Sequence, residues 1–143
     1  MITAAAQQQT TPYRPELAMF ERGDIDPELF DHAAHVYVGW RYLAECELLD
    51  GINRFARALR RLTRQFGVSG KYHETVTWFF MLVIAERRHG GASTDWNAFE
   101  TENADLLNDA GTLLRRHYSR DRLALPLARE MFLLPDQGSA ATI

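Results

Sequence analysis

Five histidines stand in the 143-residue chain, and two of them, His32 and His35, share the segment F-D-H-A-A-H at residues 30–35. On a helix this spacing puts both side chains on one face, about 5–6 Å apart at Cβ. A helical wheel separates Asp31, Arg41 and Glu45 from an opposite stripe of His32, His35, Val36, Gly39, Tyr42, Leu43 and Cys46, so both imidazoles are expected to face inward. Gly39, one turn on, is expected to leave room beside them. His73 falls on a stripe with Val76, Thr77, Phe80 and Ile84, and His117 on one with Leu106, Ala110 and Leu113. Neutral imidazoles brought together can each give a ring nitrogen to a divalent transition metal, at about 2.0–2.1 Å for zinc. His32, His35 and His73 are the expected ligands, with His117 as a fourth candidate. Three protein ligands leave one position for water or substrate, and zinc lowers the pKa of that water to about 7. Zinc suits the set best; iron or copper on the same ligands would carry oxygen chemistry.

Three more residues complete the expected catalytic set. Glu74, beside His73, is the candidate acid/base. Tyr42 shares the histidine stripe and is placed to line a pocket. Lys71, two positions before His73, is the only lysine among sixteen basic residues and stands at the rim as an anchor for a substrate or an acidic group. The reading is a metal-dependent hydrolase or lyase acting on a small organic substrate by hydrolysis, elimination or rearrangement. An alternative stays open: the same rings bonded to ordinary polar partners inside a core form a structural network. Cys46 lies about three turns from His35 and is read as packing, not as a nucleophile. The sequence has no Gly-rich phosphate loop, no G-x-S-x-G and no H-E-x-x-H.

The elements that must position these groups read as helices. Asp26-Pro27-Glu28 has the chemistry of a helix start, which predicts a helix over about 27–48. Ile52, Phe55, Leu59, Leu62 and Phe66 form one stripe that stops at Gly67, giving a second. A third, capped by Ser69, runs from Lys71 to Arg88 and is apolar nearly all round, the signature of the most buried element. Beyond Gly90-Gly91, Ser93-Thr94-Asp95 caps a short helix with Trp96 and Phe99. A weak one follows at about 104–117 around Gly111, and Ser119 caps a last one that ends before Pro135. The predicted fold is all-α, a single antiparallel bundle of about five to six helices over residues 26–135. Residues 1–25 are expected as an extended or disordered arm and 136–143 as a flexible tail. With the long helices running up, down and up, His32 and His73 lie roughly 8 and 5 Å from the same end at 1.5 Å per residue, close enough to converge.

Composition sets the frame: net charge −3, 46% hydrophobic and 24% charged residues are those of one ordinary soluble domain. A single cysteine excludes an internal disulfide and any multi-cysteine metal site. The chain has no apolar run of membrane-spanning length and no basic, apolar leader, which predicts a reducing, cytoplasmic setting without a membrane partner. The weak acidic balance argues against bulk nucleic-acid binding. Arg54, Arg57, Arg60, Arg61 and Arg64 lie off the apolar stripe of the second helix, and they define the alternative function, a non-catalytic binding module for an acidic or phosphate-bearing partner.

F-D-H-A-A-H at 30–35, K-Y-H-E-T at 71–75, R-H-Y-S at 116–119 and A-R-x-x-F-x-x-P-D at 128–136 together resemble a group of small uncharacterised bacterial all-helical proteins with F-x-H-x-x-H and K-Y-H-E-T motifs. The resemblance spans residues 28–136 and implies no reaction, cofactor or catalytic residue.

Overall fold

The computed structural model describes residues 11–91 and 95–138, and among these every regular element is helical. α1 (Leu17–Arg22) lies inside the stretch expected as an extended arm. It is held down by Phe20, which is buried and stacks on Phe55 at 5.4 Å between ring centroids. Gly23, at φ +78°, ends it and lets the Asp24 N–H reach the Met19 carbonyl at 2.9 Å.

α2 (His32–Glu45) starts five residues later than the sequence predicts. Asp26-Pro27-Glu28 forms a turn instead, with the Glu28 N–H on the Asp26 carboxylate and the Leu29 N–H on the Asp26 carbonyl. The cap is Asp31, whose carboxylate accepts from the Ala34 N–H at 2.9 Å. Either aspartate has capping chemistry, and only the second leads straight into the buried stripe. α3 (Leu48–Gln65) begins four residues ahead of Ile52 and ends as expected at Gly67, φ +71°. A 3-10 turn (Ser69–Lys71) precedes α4 (Glu74–Gly90), whose cap is His73 in place of the expected Ser69. α2, not α4, is the most enclosed helix: seven of its fourteen residues are buried, against four of seventeen in α4. α2, α3 and α4 pack on one another in every pairing. The room expected beside Gly39 is filled from α4, because a Cβ there would lie 2.7 Å from the Met81 sulfur and 3.3 Å from Ile84 Cδ1. Gly39 therefore lets two helices approach closely.

The second half of the chain is broken into short helices. α5 (Trp96–Glu102) is capped by Asp95, while the Ser93 and Thr94 part of the expected cap lies outside the described residues. The single helix expected over 104–117 divides at Asp109, φ −141°, into α6 (Ala104–Asn108) and α7 (Ala110–Arg115). The last predicted helix also divides, into α8 (Arg120–Ala124) and α9 (Pro126–Glu130). Pro126 pushes the residue before it out of the helical region, and Leu125 has ψ 135°. After α9 the chain runs back. The Asp136 and Gln137 N–H groups both donate to the His117 carbonyl, and the Asp136 carboxylate accepts from the Ser119 N–H and hydroxyl at 2.8 and 2.6 Å. The start of the expected flexible tail is thus pinned. This returning segment is tied to α4 by Thr75, fully buried, whose hydroxyl lies 2.7 Å from the Ala128 carbonyl and 2.9 Å from that of Met131, and accepts from the Leu133 N–H.

Candidate functional site

The starts of α2 and α4 and the end of α3 enclose a cleft of about 530 Å3. Its walls are mostly apolar, with Phe30, Leu59, Leu62, Phe66 and Val76 prominent, and its polar members include His35, Thr63, Lys71 and Thr77. Behind it lies a smaller chamber of about 150 Å3 bordered by His32, Phe55, Phe80 and Met81. His35, Leu59, Val76 and Thr77 border both spaces, so the imidazole of His35 stands at their junction. A pocket of this size with few polar groups suits a small organic ligand.

The hydrogen bonds fix what each ring can offer. His35 Nδ1 lies 2.8 Å from the Asp31 carbonyl. A carbonyl only accepts, so this nitrogen carries the proton and Nε2 keeps the lone pair. Phe30 lies against the same ring at 4.1 Å between centroids. Burial lowers the His35 pKa most; the Asp31 carbonyl bond opposes the shift, and nearby His32 adds to it. These effects favour the neutral form of the His35 ring. His32 Nε2 donates to the Leu106 carbonyl at 2.9 Å, which leaves Nδ1 as its acceptor.

His73 differs. Its Nδ1 accepts the Val76 N–H at 3.2 Å as the cap of α4, and its Nε2 donates to the Leu123 carbonyl at 2.9 Å. Both nitrogens are committed, and no lone pair is left for a metal while the cap stands. His117 lines a different cavity; its Nδ1 donates to the Leu113 carbonyl at 3.1 Å and its ring lies against Phe79. Among the described residues no group of three or more histidine, cysteine or acidic side chains is placed to share a metal ion. His35 and His73 both line the cleft, and His32 borders the chamber with His35 but not the cleft. Each of the four rings nevertheless bonds a main-chain carbonyl, as the structural alternative requires.

Of the expected catalytic residues, Lys71 borders the cleft and is exposed. Among the described residues it makes no ion pair. Glu74 turns elsewhere. One of its oxygens accepts from the Tyr72 hydroxyl at 2.5 Å and lies 3.6 Å from Arg60, and the other accepts from the Trp78 indole at 3.1 Å. Burial and this carboxylate push the Tyr72 pKa up to about 12. Tyr42 is fully buried among Phe20 and Phe55, away from the cleft lining. Among the described residues its hydroxyl has no hydrogen-bond partner, and its pKa is raised by burial and by the neighbouring Glu21.

The arginine face of α3 is largely engaged within the chain. Arg54 makes a two-pronged pair with Glu21, Arg60 lies by Glu74 and over the Tyr72 ring, and Arg61 donates to the Glu21 carbonyl. Two cleft residues without a role in the sequence reading are Phe30 and Thr77. Thr77 was visible on the His73 stripe, whereas Phe30 precedes the helix and no periodicity marks it. Among the described residues no helix is long and apolar enough to cross a membrane. No family model, curated protein or solved structure matches the chain.

Proposed function

We propose that the protein binds a small, largely apolar organic molecule in the cleft and removes a proton from it, with His35 as the general base and Lys71 as the anchor for an anionic group. One observation carries this reading: His35 borders both spaces with its tautomer set by the Asp31 carbonyl, which leaves Nε2 as the accepting nitrogen. A general base needs an unprotonated lone pair at working pH, and burial of the ring supplies it. The reaction class is proton abstraction leading to elimination or rearrangement, which keeps the small-substrate expectation while moving the base from Glu74 to His35. Nuclear magnetic resonance of 15N-labelled imidazoles, titrated with a panel of alkyl and aryl carboxylic acids, tests it. Binders should shift His35 Nε2, lose affinity several-fold in Lys71→Gln, and fail to bind when Leu62→Trp fills the cleft. A panel whose binders leave the His35 signals unmoved sinks the reading.

A metal-dependent variant is the second reading, supported by His32 and His35 alone, which both border the inner chamber and each retain one ring nitrogen without a hydrogen bond. A zinc, iron or copper ion held there would need its remaining ligands from water or substrate. Elemental analysis of untagged protein separates the two: this variant requires stoichiometric metal that is lost in His32→Ala and kept in His73→Ala. The binding-module alternative has only Arg57 and Arg64 left without an ion pair or hydrogen bond on α3 among the described residues.

A further inference from the structure

A second cavity, a groove of about 760 Å3, runs along the C-terminal half of α4 and shares no lining residue with the His35 cleft. Its walls are apolar, from Leu48, Phe79, Leu82, Val83 and Phe132, and Arg88 is among the charged groups on them. We propose that this groove is a second ligand site, for an oxyanion carried on an apolar body, with Arg88 as the residue that binds the oxyanion.

The edge of the groove holds donors without acceptors among the described residues. Among the described residues Arg88 Nε is buried without a hydrogen-bond partner, and the guanidinium makes one long bond, 3.4 Å to the Leu43 carbonyl. It forms no ion pair among the described residues, although its neighbour Arg87 holds Asp105 through two bonds at 2.6 and 2.9 Å. The guanidinium lies over Trp40, 5.6 Å from the ring centroid, and the indole N–H of Trp40 is also buried without a partner. An unpaired buried donor is costly, and a cationic one more so. Nε is closed off by the protein, but Nη2 has no acceptor among the described residues and is not sealed in, and a guanidinium with that end open on an apolar groove matches a carboxylate or a phosphate ester in charge and geometry. The apolar walls match a hydrocarbon body. Glu86 and His89, the other charged or titratable groups of α4 on this groove, are exposed.

The experiment is calorimetry and tryptophan fluorescence on the full chain with four probes: decanoate, decyl phosphate, decanol and inorganic phosphate. The two amphipathic anions should bind at least tenfold tighter than decanol or inorganic phosphate. Their binding should change Trp40 emission, and their order tells a carboxylate site from a phosphate-ester site. Arg88→Gln should bring the anion affinity read from Trp40 emission down to that of decanol, whatever calorimetry still reads at the Lys71 cleft. Glu86→Gln, an exposed change that does not depend on the core, should tighten anion binding at least twofold, which keeps the proposal testable if Arg88→Gln does not fold. Lys71→Gln should leave the Trp40 response in place. The proposal is overturned if no anion binds, if decanol binds as tightly, if neither Arg88→Gln nor Glu86→Gln alters affinity, or if Lys71→Gln abolishes the signal. A guanidinium that is merely hydrated gives the first of these results.

Discussion

A partly buried imidazole whose neutral form is favoured couples folding to pH with a definite sign. The His35 pKa is lowered in the native state, so the unfolded chain takes up the proton first as pH falls. Stability contributed by the neutral ring is complete above the ordinary histidine value, about 6.5, and is lost as pH drops from there through the lower native value. Thermal unfolding followed from pH 8 to 5 should show a falling midpoint whose slope flattens in His35→Gln; an unchanged slope contradicts the assignment. His73 acts on stability through its bonds. His73→Ala removes the cap of α4 and the partner of the Leu123 carbonyl, an expected loss of about 2 kcal/mol in denaturant unfolding. Residue periodicity was enough to show that these rings face inward. It was not enough to show what they bond, because the carbonyls of Leu106 and Leu123 arrive from elements 74 and 50 residues away. A ligand set is read from residue types, and a side chain that caps its own helix has the same type as one that is free.

Helix starts and breaks were the least legible features, for reasons that differ from case to case. Asp26 and Asp31 carry equal capping chemistry, and tertiary packing chooses between them. The break at Leu125 was open to reading, since a residue ahead of proline leaves the helical region, but the apolar spacing through Met131 concealed it. The meeting of α2 and α4 at Gly39 has a direct test. Gly39→Val must displace Met81 and Ile84 and should cost about 3 kcal/mol, the upper end of ordinary overpacking. At the other end of α4, Thr75→Val keeps the shape and deletes three hydrogen-bond partners, among them that of the Leu133 N–H. The expected loss is about 2–3 kcal/mol, with faster amide exchange confined first to residues 126–133. Loss of protection spread evenly over α2 and α3 would mean that Thr75 serves the whole core.

For the molecule as a whole, the all-helical class followed from periods and caps along the chain, whereas the cleft lining was not legible: the room was expected beside Gly39, where Met81 and Ile84 pack, and the open space lies instead by Phe30, Leu62 and Phe66. The Arg88 groove gave no sequence signal, because an arginine beside a second arginine near a helix end looks like any solvated charge. The returning segment after His117 bears on access to the cleft. It is closed at its base by the Asp136 and Gln137 bonds to the His117 carbonyl and rooted on α4 through Thr75 and His73. Arg129 also reaches from it to the Gly70 and Tyr72 carbonyls, on either side of Lys71. The segment is therefore a latch: releasing it frees the Lys71 edge of the cleft, and a ligand that grips Lys71 must slow exchange of amides some sixty residues further along the chain.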